Sequence, residues 1–247
     1  MEIREFGAEK QETIIFLHGG GLSWWNYRKE AEMLQSDYHI VLPVLDGHAG
    51  SDRSFTSIEN NAAEIIEFID KHCDGKVLMM CGLSLGAQIL LEILSQRNDI
   101  CHFALVESAA VIPSKLTNAL ISPVFGCSYG LIKNRQFAKL QFKSLHMDDN
   151  LFDDYYRDTC KIEKADMILF LKANTSYSLK ESVKDTTADV HVLAGEKENK
   201  TITRSVDAIV KFIPKCTKCI IPGLYHGEFS INHPDRYVDY IIKLLTD

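Results

Sequence analysis

Ser84 lies in Gly82-Leu83-Ser84-Leu85-Gly86, after the apolar run Val77–Cys81 and before the helix-forming stretch Ala87–Leu94. A serine on a tight turn between a buried strand and a helix is held in strained backbone geometry. The two glycines remove side chains that would collide as the helix folds back. Its hydroxyl is pushed out beside a helix N-terminus, whose free N–H groups and positive dipole end favour a forming anion. Upstream, Thr13–Leu17 runs into His18-Gly19-Gly20-Gly21, a segment rich in backbone donors and poor in side chains. Downstream, Val190–Ala194 leads to Gly195-Glu196-Lys197-Glu198, and Lys218–Ile221 leads to Pro222-Gly223-Leu224-Tyr225-His226-Gly227. The order serine, acid, histidine suits nucleophilic catalysis. A neutral imidazole takes the hydroxyl proton and returns it to the leaving group, while a carboxylate fixes its tautomer and steadies its charge. His226 is the expected base.

These segments, with Leu45-Asp46-Gly47-His48 and Ser51 between them, resemble the α/β-hydrolase superfamily, in the branch of small esterases, lipases and monoacylglycerol-lipase-like enzymes. The resemblance spans nearly the whole chain and implies a triad of Ser84, Glu198 and His226. Glu198 stands where the family usually carries Asp. It ranks first because it follows the strand before the histidine's strand, with Glu107 second and Glu196 third. Backbone N–H groups of Gly20 and Leu85 are the implied oxyanion hole, Gly19 and Gly21 being neighbouring alternatives. Trp24 and Trp25, after Ser23 as an N-cap, are expected substrate-binding residues on the acyl side, with at least one of them in the core. His18 is expected to brace its loop by hydrogen bonding.

The composition is consistent with this reading. A chain of 247 residues that is 46% hydrophobic can bury a sizeable core. A net charge of −7 argues against a general nucleic-acid binder. The charged start Met1–Phe6 has no signal-peptide core, and no run has the length of a membrane span, so a cytoplasmic protein without stable membrane insertion is expected. Seven cysteines without a framework fit a reducing compartment. Cys216-Thr217-Lys218-Cys219 is a lone C-x-x-C, and Asp46, His48 and Asp52 lack a fourth partner, so neither a metal nor a cofactor is expected.

Thr13–Leu17, His39–Leu45, Val77–Cys81, Phe103–Val106, Val190–Ala194 and Cys219–Ile221 read as buried strands separated by amphipathic helices. Thr56 with Glu59 suggests a capping box for one helix, and Pro234 opens the last. The fold expected is α/β: a doubly wound, mostly parallel sheet of the α/β-hydrolase type with an inserted helical cap. Residues 1–112 and 185–247 form the core of that expectation and residues 113–184 the cap. Within the cap Arg135–Leu145, Leu151–Thr159 and Ala165–Ala173 look helical. About a third of its aromatic and methionine side chains, from Phe125 and Tyr129 through Phe142, Phe170 and Tyr177, are expected to face a cavity. The function implied is hydrolysis of small to medium, partly apolar carboxylic esters through an acyl-enzyme. A non-hydrolytic enzyme on the same scaffold (a cofactor-free haloperoxidase or a lyase) and a slow-turnover ligand-binding or signalling protein are the alternatives.

Overall fold

A computed structural model describes residues 1–246. Seven strands form one sheet: β1 (Glu2–Phe6), β2 (Thr13–Leu17), β3 (His39–Val44), β4 (Val77–Leu83), β5 (Cys101–Glu107), β6 (Asp189–Gly195) and β7 (Cys216–Ile221). Their spatial order is β1-β3-β2-β4-β5-β6-β7, with β1 antiparallel to β3 and every other pairing parallel. The run of β2 is buried throughout because both faces of the sheet are covered. Ile15 and Leu17 join the core on one face, with the helices α2 (Ile58–His72), α3 (Leu85–Gln96) and α8 (Lys200–Phe212). Ile14 and Phe16 point to the other, under α1 (Arg28–Leu34) and α10 (Pro234–Thr246). This is the alternation of a strand sandwiched between two helical layers.

The sequence signals for individual elements differ from the structure in four places. Met1–Phe6 is short but pairs over five residues with β3, because Glu2 to Phe6 lie in register with Val44 to Ile40. The cap of α2 is Ser57, whose side chain accepts from the Asn60 N–H; Thr56 lies one residue outside. Ser23 precedes the 3-10 turn Trp24–Tyr27, but its hydroxyl donates to the Ala49 carbonyl at 3.1 Å and caps nothing. Between β5 and β6 the chain forms only helices: α4 (Lys115–Ser128), α5 (Arg135–Ser144), α6 (Phe152–Thr159) and α7 (Lys164–Ser176). Of these α4 is not expected from the sequence, since Pro123 and Gly126 fall inside it.

This helical segment is fastened to the sheet domain by polar contacts. The Trp25 indole N–H donates to Asp158 of α6 at 2.9 Å, and the amides of Gln88 in α3 and Asn174 in α7 bond to each other at 3.0 Å. A third latch lies at the turn after α5. Asn232, at the end of the short helix Glu228–Asn232 (α9), donates to the His146 carbonyl at 2.7 Å and accepts from the Asp148 N–H at 3.0 Å.

Candidate active site

Ser84 has φ 53 and ψ −106, a conformation disfavoured for a side-chain-bearing residue. Its N–H donates to the Glu107 carbonyl at 2.9 Å, extending the β4–β5 pairing into the turn. The glycines make the turn possible by close approach. A Cβ on Gly86 would sit 2.1 Å from the Leu17 carbonyl oxygen, and one on Gly82 would sit 2.5 Å from that of Gly86. Ser84 therefore stands half-buried at the carboxyl end of the central strand, with α3 starting directly behind it.

His226 reaches the same place from the loop after β7. Ser84, Glu198 and His226 line one cavity of about 350 Å³, with Leu22, Leu83 and Met147 among its apolar walls. The Glu198 carboxylate accepts from Nδ1 of His226 at 2.7 Å, leaving Nε2 as the nitrogen that can take a proton. The glutamate side chain is fully buried, while that of His226 is 45% exposed, so only the histidine faces an incoming molecule. Neither the Ser84 hydroxyl nor Nε2 of His226 has a hydrogen-bond partner among the described residues.

Among the three carboxylates singled out from the sequence, only Glu198 bonds to His226. Glu107 accepts from the Ser230 N–H at 3.3 Å and Glu196 from the Gly223 N–H at 2.8 Å. Glu107 is buried behind the site, and burial pushes its carboxyl up to about 7. Ser108 is a site residue that sequence reading misses. It adopts φ 57 at the end of β5, donates its hydroxyl to the second oxygen of Glu198, and accepts from the Gly227 N–H at 3.3 Å. One side chain thus holds both the acid and the loop that carries the histidine.

The Gly20 N–H and the Leu85 N–H have no acceptor among the described residues, and Leu85 is the first residue of α3, where none is available within the helix. The Gly19 N–H is taken by the Asn26 side chain at 3.2 Å. His18 braces this loop as expected: Nε2 accepts from the Leu45 N–H at 3.1 Å, so Nδ1 donates to the Gly19 carbonyl at 2.9 Å. Its burial lowers its pKa to about 3, keeping it neutral.

The structure places neither tryptophan in the cavity. The 3-10 turn sends Trp25 inward to Asp158, whereas Trp24 packs beside Phe6 with the Arg28 guanidinium 4.8 Å from its ring centre. Leu22 occupies the wall expected of them. None of the cap aromatics lines this cavity either: most pack into the cores, as Phe142 does against Phe152 and Tyr155, while Phe137 is exposed. The cap instead contributes the turn Ser144–Met147, where the His146 ring stacks on Tyr225 at 3.8 Å.

Comparison with known proteins identifies the family and the fold. The model of the alpha/beta hydrolase family matches residues 14–240. A probable alcohol acetyltransferase of Wickerhamomyces anomalus is 30% identical over 115 residues, covering 45% of this chain and 33% of its own length. The chain therefore spans only about a third of that relative. An esterase from Exiguobacterium antarcticum superposes with a TM-score of 0.83 at 14% identity, covering 99% of this chain and 95% of that one. An enol-lactonase from Burkholderia xenovorans LB400 gives 0.81 at 13% identity, covering 100% and 96%. The chain belongs to the alpha/beta hydrolase family.

Proposed function

We propose that this alpha/beta hydrolase is a serine esterase working through an acyl-enzyme. The observation that carries the reading is the hydrogen bond from His226 to buried Glu198 in the cavity that Ser84 enters from its strained turn. Ser84 attacks the ester carbonyl as His226 Nε2 takes its proton. The oxyanion is met by the Gly20 and Leu85 N–H groups, each worth about 3 kcal/mol of barrier. The imidazolium, steadied by Glu198, then protonates the departing alkoxide. Water, activated by the same imidazole, attacks the acyl-enzyme, releasing a carboxylic acid and restoring Ser84. The apolar walls of Leu22, Leu83 and Met147 suit a small to medium acyl or alcohol chain.

The test is a series of p-nitrophenyl esters of rising acyl length, with a lactone and an amide included, assayed on the native chain and on Ser84→Ala. Ester turnover that vanishes in the variant while its melting curve is retained supports the reading; turnover unchanged in Ser84→Ala rejects it. The match to an alcohol acetyltransferase favours one second reading, in which an alcohol replaces water as acyl acceptor. Adding ethanol to the assay separates the two. Ethyl ester formed in place of acid indicates transfer, and acid alone indicates hydrolysis.

A further inference from the structure

We propose that the outer face of α4 and α5 docks reversibly on an anionic phospholipid surface and sets the mouth of the cavity at that interface. From Pro113 to Met147 the chain carries Lys115, Lys133, Arg135, Lys139 and Lys143 and neither aspartate nor glutamate, within a protein of net charge −7. Arg135 pairs with Asp153; the four lysines have no ion-pair partner among the described residues. The same stretch exposes large apolar side chains. Leu116, Leu120 and Val124 recur every fourth residue on α4 and are 74%, 51% and 53% exposed, while that helix buries only Ile121. On α5, Ala138 and Phe142 face inward, leaving Leu140 69% exposed among Lys139 and Lys143. Singly exposed leucines are ordinary, but large apolar side chains exposed in sequence along α4 and again on α5, in a stretch whose lysines are unpaired, are not.

The chemistry of the patch selects its occupant. Leucine and valine tips can enter the boundary between headgroups and acyl chains, while lysine stems snorkel their ammonium groups back to lipid phosphates. A second copy of the chain fits poorly, because a two-fold pairing of this face would set its unpaired lysines against the same lysines. The surface is also continuous with the site. The turn after α5 supplies Ser144, Leu145, His146 and Met147 to the cavity lining, and Leu145 is itself exposed. A docked protein would receive an apolar ester directly from the bilayer past Leu145 and Met147. That consequence rests on the esterase reading; the docking does not.

Vesicle co-sedimentation of the full chain carrying Ser84→Ala tests docking without turnover. Phosphatidylcholine vesicles containing phosphatidylserine should bind it, pure phosphatidylcholine should bind it far less, and added salt should weaken the binding. Lys133→Glu/Lys139→Glu/Lys143→Glu should lower partitioning by at least about a hundredfold, given the contribution of each cation at an anionic surface. Leu116→Ser/Leu120→Ser/Val124→Ser should lower it by at least about tenfold. Unchanged melting curves establish that these variants are folded, and in the active chain they should leave turnover of soluble p-nitrophenyl acetate unchanged. The proposal is overturned if phosphatidylserine vesicles fail to bind the chain, or if both triple variants bind as well as the parent. It is equally overturned if sedimentation equilibrium shows a dimer that the leucine variant abolishes, since the face then belongs to a second copy.

Discussion

Each proposed role depends on a side chain held by another. Glu198→Gln keeps the shape of the acid but removes the charge that steadies the imidazolium, so kcat should fall by about a thousandfold or more with little change in KM. Glu107→Gln should leave turnover near normal, because Glu107 bonds to Ser230 and not to His226. Loss of activity in the second variant, with the first unaffected, would move the acid to β5. Ser108→Ala should lower kcat by roughly 10- to 100-fold without unfolding the protein, since it frees both Glu198 and the His226 loop. Steady-state kinetics on a soluble ester read all three. Ser84, Glu198 and His226 are legible in the sequence because each follows a strand end in a short recognisable pattern. Ser108 is not, because its positive φ and its reach to a residue 90 positions away leave no local signature.

The elbow and the cap turn make separate demands at the scale of elements. Gly86→Ala should unfold the elbow or cost at least about 3 kcal/mol, because the added methyl meets the backbone of β2, which has no room to move. A melting temperature within a degree or so of the native one would show that β2 and α3 approach less closely than described. Asn232→Ala removes two hydrogen bonds that hold the turn after α5, worth about 2 kcal/mol together. It should raise KM, because the turn lines the cavity that a substrate would enter. Strands β2 to β6 are legible because they are short and mostly apolar, whereas the edge strands are only partly so: β1 is largely charged, and in β7, expected as buried, only Ile221 is buried. The cap is less so: Pro123 and Gly126 interrupt α4, and the aromatics, most of them packed in the cores, do not line the cavity. Aromatic spacing reports burial without saying against what. The turn of Trp24 and Trp25 away from the cavity depends on Asp158, 133 residues along the chain from Trp25.

Buried titratable groups set the pH dependence of the whole molecule. His18 and His48 stay neutral in the fold, with pKa values lowered by burial to about 3 and about 4, whereas in the unfolded chain they protonate below 6.5. The unfolded state then binds more protons, so stability is lost as pH falls from 6.5, by about 1.4 kcal/mol per unit for each imidazole. Glu107 acts in the opposite sense. Its carboxyl, raised by burial to about 7, stays protonated where the unfolded chain has ionised above 4.5, so stability falls as pH rises across that interval by about 3 kcal/mol. Between about 4.5 and 6.5 the two imidazoles are opposed by Glu107 and by Glu30, which burial also raises, whereas above 6.5 only the carboxyls act. Urea unfolding across pH should therefore show stability falling as pH rises from about 6.5 to 7, where only the carboxyls act. Glu107→Gln should flatten the decline toward neutral pH and stabilise the protein by about 3 kcal/mol above it. A native curve that keeps rising past neutrality would mean that Glu107 is ionised in the fold. None of the described helices is long and apolar enough to cross a membrane.

The central claim is that Ser84 becomes acylated. Intact-mass spectrometry after incubation with a fluorophosphonate, followed by peptide mapping, tests it most directly. One adduct per chain, confined to the peptide carrying Ser84, absent from Ser84→Ala and strongly slowed in His226→Ala, is the expected result. Ester hydrolysis that persists with no adduct on Ser84, or an adduct on another residue that blocks turnover, would contradict it.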